Sequence, residues 1–210
     1  MLFVDREDAG KKLASLVQEY ADQNVIVLGL PRGGVVTAYQ IARSLNAPLD
    51  VTCPRKIGAP WNPELAIGAV SEAGEATFNE DLLAMFNIPE ETLETAIERE
   101  RAEARRRLLV YRSGKPPLVL DDKIVILVDD GLATGATMKA AIRGVQARNV
   151  KQVVVAVPVS PPGTLEEIQQ LVNRAICLFA PPFFQAVGQF YQNFGQTSDE
   201  EVISLLNAKI

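Results

Sequence analysis

A chain of 210 residues with 48% apolar and 22% charged side chains has the make-up of a globular protein, and at this length roughly 70% of the unfolded surface can be buried without staples. Lys plus Arg number 21 against 26 Asp plus Glu, and the net charge of −5 argues against a protein living on nucleic acid or an anionic membrane. Histidine is absent, which removes Ser-His-Asp and Cys-His triads, HExxH zinc proteases and any imidazole acid–base step.

Residues from about Asp5 to Tyr20 have Leu13, Leu16, Val17 and Tyr20 at helical spacing. The β-branched run Val25 to Leu28 predicts a strand, and Pro31-Arg32-Gly33-Gly34 separates it from a helix over about Val35 to Leu45. Leu49 to Cys53 is a second short strand. Pro54 to Asn62 reads as a loop rich in Pro and Gly, and Leu65 to Val70 with Glu75 to Phe78 as a hairpin around Ala73-Gly74. Two helices follow, near Glu80 to Phe86 and from about Glu90 to Tyr111. The strongest strand is Lys123 to Val128, running into Asp129-Asp130-Gly131. A helix at about Thr137 to Arg148, a strand at Gln152 to Val157, a helix at about Thr164 to Asn173 and a strand at Ala175 to Phe179 complete the pattern. Ser198-Asp-Glu-Glu201 reads as the capping box of a last helix.

Apolar strands alternating with helices predict an α/β fold with a mostly parallel sheet covered on both faces. No repeat or linker divides the chain, so residues 1–210 read as a single domain. Cys53 and Cys177 cannot build a four-ligand zinc site without histidine, and both read as small core hydrophobes rather than as a disulfide. The start of the chain turns charged by Asp5, unlike a secretory leader, and no apolar run approaches the ~20 residues that span a bilayer. A cytoplasmic protein is expected.

Two loops after strands carry the chemistry. In Val128-Asp-Asp-Gly-Leu-Ala-Thr-Gly-Ala-Thr137 an apolar strand ends in two carboxylates, and a turn of small residues opens a helix. Ligands of open α/β sheets collect at the carboxyl ends of strands. Gly131, Ala133, Gly135 and Ala136 let the backbone approach a ligand, the N–H groups at a helix start attract phosphate, and Thr134 and Thr137 add hydroxyls. An ordinary strand–turn–helix with a threonine cap is the alternative. The loop Leu28-Gly-Leu-Pro-Arg-Gly-Gly34 has P-loop-like glycines, but Val35 and Val36 stand where that motif needs Lys and Ser/Thr. A second acidic pair, Asp121-Asp122, precedes its strand, lacks the Gly-Thr loop and reads as a turn.

The first of these loops resembles the PRPP-binding motif of the type I phosphoribosyltransferases: strand, acidic pair, then Thr-Gly-x-Thr. The resemblance covers roughly Val25 to Ala156. It implies a five-stranded, mainly parallel sheet over a core of about 22–180, with a helical insertion at about 80–112 and a small C-terminal hood at about 180–210. It also implies transfer of the phosphoribosyl group of Mg²⁺-PRPP to a nitrogen nucleophile, with release of pyrophosphate. Ala133 to Thr137 would hold the 5′-phosphate, and Asp129 and Asp130 the ribose hydroxyls. Arg32, Gly33 and Gly34 would hold pyrophosphate through backbone N–H groups and bidentate guanidinium bonds, in a loop that often carries an unusual peptide. Cys53-Pro-Arg-Lys-Ile-Gly-Ala-Pro-Trp-Asn-Pro-Glu64 resembles the mobile catalytic loop of the adenine-type members, in which Arg55 and Lys56 would neutralise the leaving group. A solvated loop tip with incidental charges is the alternative. Magnesium would be held by the substrate and water, with no protein ligand assigned.

Where members acting on 6-oxopurines place Asp as proton acceptor, this chain has Ala133, as adenine-type members do. That counts against hypoxanthine or guanine and leaves Glu64 as a candidate replacement. Phe183, Phe184 and Tyr191 of the hood could stack on a planar base; core packing or a homodimer interface accounts for the same residues. The arginines of Glu90 to Tyr111, interleaved with glutamates, read as a solvated amphipathic helix with pairs such as Glu103–Arg107 rather than as a nucleic-acid face. A PRPP-sensing regulator without catalysis is the rival from another class, and a different phosphate-ester enzyme on a similar scaffold is a third reading.

Overall fold

The computed structural model describes residues 2–70 and 76–210. The strands β1 (Val25–Gly29), β2 (Leu49–Val51), β6 (Ile124–Val128), β7 (Gln152–Val159) and β8 (Arg174–Phe179) form a five-stranded sheet in the order β2-β1-β6-β7-β8. Every pairing in it is parallel. The helices α1 (Arg6–Ala14) and α2 (Gly33–Leu45) cover one face, and α5 (Ala136–Gln146) and α6 (Pro162–Gln169) the other.

Side-chain alternation explains why β1 and β6 carry unbroken apolar runs. Val25, Val27, Ile124 and Ile126 face Leu13, Ile41 and Leu45, whereas Ile26, Leu28, Val125 and Leu127 face Met138, Ile142 and Ile168. A strand buried on both sides has no polar positions to spare.

Residues 55–112 build a smaller layer. The strands β3 (Arg55–Ala59), β4 (Asn62–Val70) and β5 (Ala76–Phe78) pair antiparallel. Their apolar face, with Ile57, Ile67 and Val70, packs on Leu82, Leu83, Leu93 and Ile97 of α3 (Glu80–Phe86) and α4 (Glu90–Arg112). The far end of α4 returns to the main sheet, where Leu108 and Tyr111 meet Val35, Val51 and Cys53, together with Val202 of α7 (Asp199–Asn207). Arg112 anchors that return with two hydrogen bonds to the buried Asp50 carboxylate at 3.0 and 3.1 Å.

Three expectations need correction. Pro54 to Asn62 is not a loop. Ile57 and Ala59 are buried while Arg55, Lys56 and Gly58 are half-buried, which is a strand period, and the register shifts at Gly58 mark a bulge. The helix expected from Asp5 to Tyr20 ends at Ala14, and a 3₁₀ turn spans Gln18–Tyr20. Tightened i→i+3 bonds from Leu16 and Val17 close its end and leave Leu16 exposed. The helix expected over Thr164 to Asn173 spans Pro162–Gln169, with proline in its first turn, where no N–H is needed. The turn expected at Ala73-Gly74 lies outside the described residues.

Other expectations match. Neither cysteine is in a disulfide; Cys53 is buried and Cys177 half-buried. Ser198 caps α7 by accepting from the Glu201 N–H, and Glu103 pairs with Arg107 at 2.7 Å. Among the described residues no helix is long and apolar enough to cross a membrane.

Candidate active site

The site forms where β1 and β6 end side by side. The Leu30 N–H donates to the Val128 carbonyl at 2.9 Å, so the loop after β1 and the loop after β6 leave the sheet together. The peptide between Pro31 and Arg32 is cis. Gly33 and Gly34 open α2 directly against Asp129 and Asp130. A Cβ on Gly34 would lie 2.8 Å from Asp129 Cα, and one on Gly33 would run into the Asp130 carboxylate. The two glycines are thus required by close approach, and the first-loop and acidic motifs are one contact surface.

Beyond the acidic pair, Gly135 adopts φ +71° and serves as the N-cap of α5. This left-handed turn is cheap only for glycine, and it opens the helix start, where the Ala136 N–H donates to Thr134 Oγ1 at 3.4 Å. Ala133 and Thr134 are exposed on that turn, and the Ala133 carbonyl is held by the Thr164 hydroxyl at 2.9 Å. Thr137, the second residue of the helix, lines a cavity of about 240 Å³ together with Leu30, Pro31, Thr52, Arg55, Lys56 and Arg107. Residues of three separate sequence motifs therefore share one hollow. A larger hollow of about 600 Å³ adjoins it, lined by Arg55 and Lys56 together with Glu91, Thr95 and Arg99 of α4. Another of about 480 Å³ between Asn24, Pro48, Leu118 and Lys123 sits at the opposite end of the strands and contains no motif residue.

The acidic pair is electrostatically loaded. Burial, then the neighbouring Asp130 charge, pushes the Asp129 carboxyl well above the usual carboxylate range. Burial also raises Asp130, against the opposing pull of Arg6. Arg6 Nε donates to Asp130 Oδ2 at 2.6 Å, and Arg6 Nη1 donates to the Gly195 carbonyl at 2.6 Å. Asp129 Oδ1 accepts the Asp130 N–H at 2.8 Å.

Other site residues are distributed less simply. Arg32 Nη1 lies 3.7 Å from Asp199 Oδ1 at the start of α7, and Asp199 also accepts the Tyr111 hydroxyl at 2.8 Å. Arg55 Nε is bonded to the buried Glu100 at 2.9 Å, which ties the basic pair to α4. The Glu64 side chain lies outside the described residues.

The hood trio does not share a face. Phe183 is 87% exposed, and Phe184 packs on Phe190 with ring centroids 5.2 Å apart. Tyr191, expected as a stacking platform for a base, is only 6% exposed; Phe3 and Phe194 occupy its ring at 5.3 and 4.9 Å. The hydroxyl of Tyr191 donates to the Asp130 carbonyl at 2.5 Å. It is a packing and anchoring residue.

Sequence reasoning missed Arg6. One signal was available: a cation in the first turn of a helix opposes the macrodipole and needs a partner elsewhere. The acid at the other end of that bond is 124 residues away.

Among the described residues there is no group of three or more carboxylates and thiolates that could hold a metal ion. The two site carboxylates are biased toward protonation and one already holds a guanidinium. Such a set fits magnesium carried on a diphosphate and water better than magnesium bound directly.

The model of the phosphoribosyl transferase domain matches residues 5–193. The crystal structure of TT1426 from Thermus thermophilus is 42% identical, with 98% of each chain covered and a TM-score of 0.85. Two Mycobacterium tuberculosis proteins, each named "Putative phosphoribosyl transferase" (strains CDC 1551 / Oshkosh and ATCC 25618 / H37Rv), are 42% identical over 206 residues. That match covers 98% of this chain and 46% of theirs, so the chain spans about half the length of the curated relatives it matches. With a family match over most of its length, and with an acidic pair, glycine loop and threonine turn gathered at one edge of a parallel sheet, the chain belongs to the phosphoribosyl transferase domain family.

Proposed function

We propose that the chain transfers the 5-phosphoribosyl group of PRPP, carried with magnesium, to a nitrogen nucleophile of the heterocyclic-base class, and releases pyrophosphate. The observation that carries this reading is the cavity shared by Leu30, Pro31, Arg55, Lys56 and Thr137, beside the Gly34–Asp129 contact. The N–H groups at the start of α5, with Thr134 and Thr137, take the 5′-phosphate. Arg32, Gly33 and Gly34, with Arg55 and Lys56, take the diphosphate. Magnesium supplies charge neutralisation on that diphosphate. Asp129 and Asp130 hold the ribose hydroxyls, and the Asp130 carboxylate favours the positive charge that develops on the ring as its bond to pyrophosphate loosens. Positioning and charge stabilisation then carry the catalysis.

A second reading, a regulator that binds PRPP without turning it over, is favoured by one observation. Arg55, needed on the leaving group, is held by Glu100. Incubation with Mg²⁺-PRPP and a panel of bases, following pyrophosphate, separates the two. Release that depends on one base supports the transferase, with hypoxanthine and guanine poor because Ala133 offers no acceptor. Binding with no release on any base supports the regulator.

A further inference from the structure

We infer that Arg6 is a positioning residue of the site, acting through Asp130. Three contacts fix its guanidinium. Nε donates to Asp130 Oδ2, Nη1 donates to the Gly195 carbonyl, and the group lies 4.0 Å above the Phe194 ring. The framework behind it is rigid. Residues at the start of the chain are zipped to the hood, with Phe3 N–H to the Phe190 carbonyl and Gln192 N–H to the Phe3 carbonyl, both at 2.8 Å. Asp5 then caps α1 by accepting the Asp8 N–H, which sets Arg6 in the first turn. Any side chain on Gly33 would strike Arg6 as well as Asp130. One guanidinium thus sits at the seam between the acidic pair and the glycine loop.

The charges facing Asp130 are Arg6 from α1 and Asp129 beside it, with the Tyr191 hydroxyl on its carbonyl. Two buried carboxylates cannot both ionise cheaply. Arg6 decides between them: its bond stabilises Asp130 as the carboxylate and leaves Asp129 as the member that keeps a proton. Because Arg6 engages only Oδ2, the guanidinium leaves Oδ1 of Asp130 to its other side-chain neighbour, Asp129, and to a hydroxyl. The geometry therefore orients the acid without blocking it. The substrate side of this inference rests on the PRPP reading above; the ordering of the two acids does not.

The test is a carboxyl carbon-13 NMR titration of the ligand-free protein, with the two signals identified from Asp129→Asn and Asp130→Asn. Asp130 is expected to titrate at lower pH than Asp129. Arg6→Gln should move the Asp130 titration to higher pH, and Arg6→Lys, which keeps the charge, should restore most of it. Arg6→Lys also serves if Arg6→Gln fails to fold. Mg²⁺-PRPP affinity measured by calorimetry in the same variants should weaken about 10–100-fold for Arg6→Gln, the range for outer partners that orient a ligating group. An Asp130 titration unchanged by loss of the Arg6 charge, or Asp129 ionising first, would overturn the inference. If the wild-type chain takes no PRPP, the substrate reading fails, and the titration still decides the role of Arg6.

Discussion

Tyr191 reaches across the sheet edge to Asp130, donating its hydroxyl to the main-chain carbonyl at 2.5 Å. The contact joins the C-terminal segment to the acidic loop, and burial pushes the phenol well above its usual range. Tyr191→Phe keeps the ring packing and leaves a part-buried carbonyl without its partner. Unfolding in urea should show a loss of about 1–3 kcal/mol. Unchanged stability would mean that water replaces the hydroxyl and that the hood is not anchored there.

The Gly34–Asp129 contact predicts an asymmetry between glycines. Gly34→Ala sets a Cβ 2.8 Å from Asp129 Cα, so backbone must move, and overpacking of this kind costs about 1–3 kcal/mol. PRPP affinity should fall with it, because the shifted backbone includes the acidic pair. Gly163, inside α6, has nothing within 4 Å of an added Cβ, and Gly163→Ala should be neutral or stabilise by about 0.5–1 kcal/mol. Thermal melts of both variants, with calorimetry on PRPP, check the pair.

Much of the frame is legible in the sequence because both faces of the main sheet are buried. Such strands show as unbroken β-branched runs, and Val25 to Leu28 and Lys123 to Val128 read as strands on that signal. In the layer of residues 55–112 the hairpin and both helices are legible, but β3 is not. Gly58 and Pro60 look like loop punctuation, while the buried positions that make β3 a strand, Ile57 and Ala59, number only two. The acidic pair and its glycine loop are legible as local motifs, since a helix start after a strand is a short-range arrangement. Arg6, Asp199 and the true contacts of Tyr191 are not, because each partner lies in another part of the chain and no local spacing encodes it.

The raised Asp129 carboxyl makes a prediction about pH. A group whose folded pKa exceeds its unfolded value holds its proton more tightly when folded, so stability falls as pH rises from the unfolded value, about 3.9, through the folded one. Asp129→Asn removes that dependence while keeping an oxygen for the Asp130 N–H. The variant should melt higher than wild type at pH 7, where each ~1 kcal/mol reads as about 2–4 °C in a chain of this size. Below about pH 4 the difference should vanish, because the wild-type carboxyl is then protonated in both states. Melts across pH 3 to 8 decide it; a variant that is less stable at pH 7 would show that the Asp129 charge is well accommodated.

The two acidic pairs supply the sharpest separation of site from scaffold, since both flank β6. Asp121 and Asp122 precede it in an exposed turn, with Asp122 at φ +55° and its N–H on the Asn149 carbonyl. Asn adopts that left-handed conformation at least as readily as Asp, so Asp121→Asn with Asp122→Asn should leave folding and kinetics nearly unchanged. Asp129 and Asp130 follow the strand, half-buried against Gly33 and Gly34. Asp129→Asn with Asp130→Asn keeps both shapes and removes the Asp130 charge that would favour an electron-poor ribose, together with the proton held on Asp129. Turnover should then fall by orders of magnitude, since one preorganised electrostatic contact elsewhere contributes about 3–4 kcal/mol. PRPP affinity should weaken less than turnover, because losing the Asp130 carboxylate also relieves repulsion with the phosphates. Turnover and affinity are to be measured for both double variants, with circular dichroism to establish that each is folded. Activity lost at 121–122 and kept at 129–130 would place the site at the wrong end of the strand.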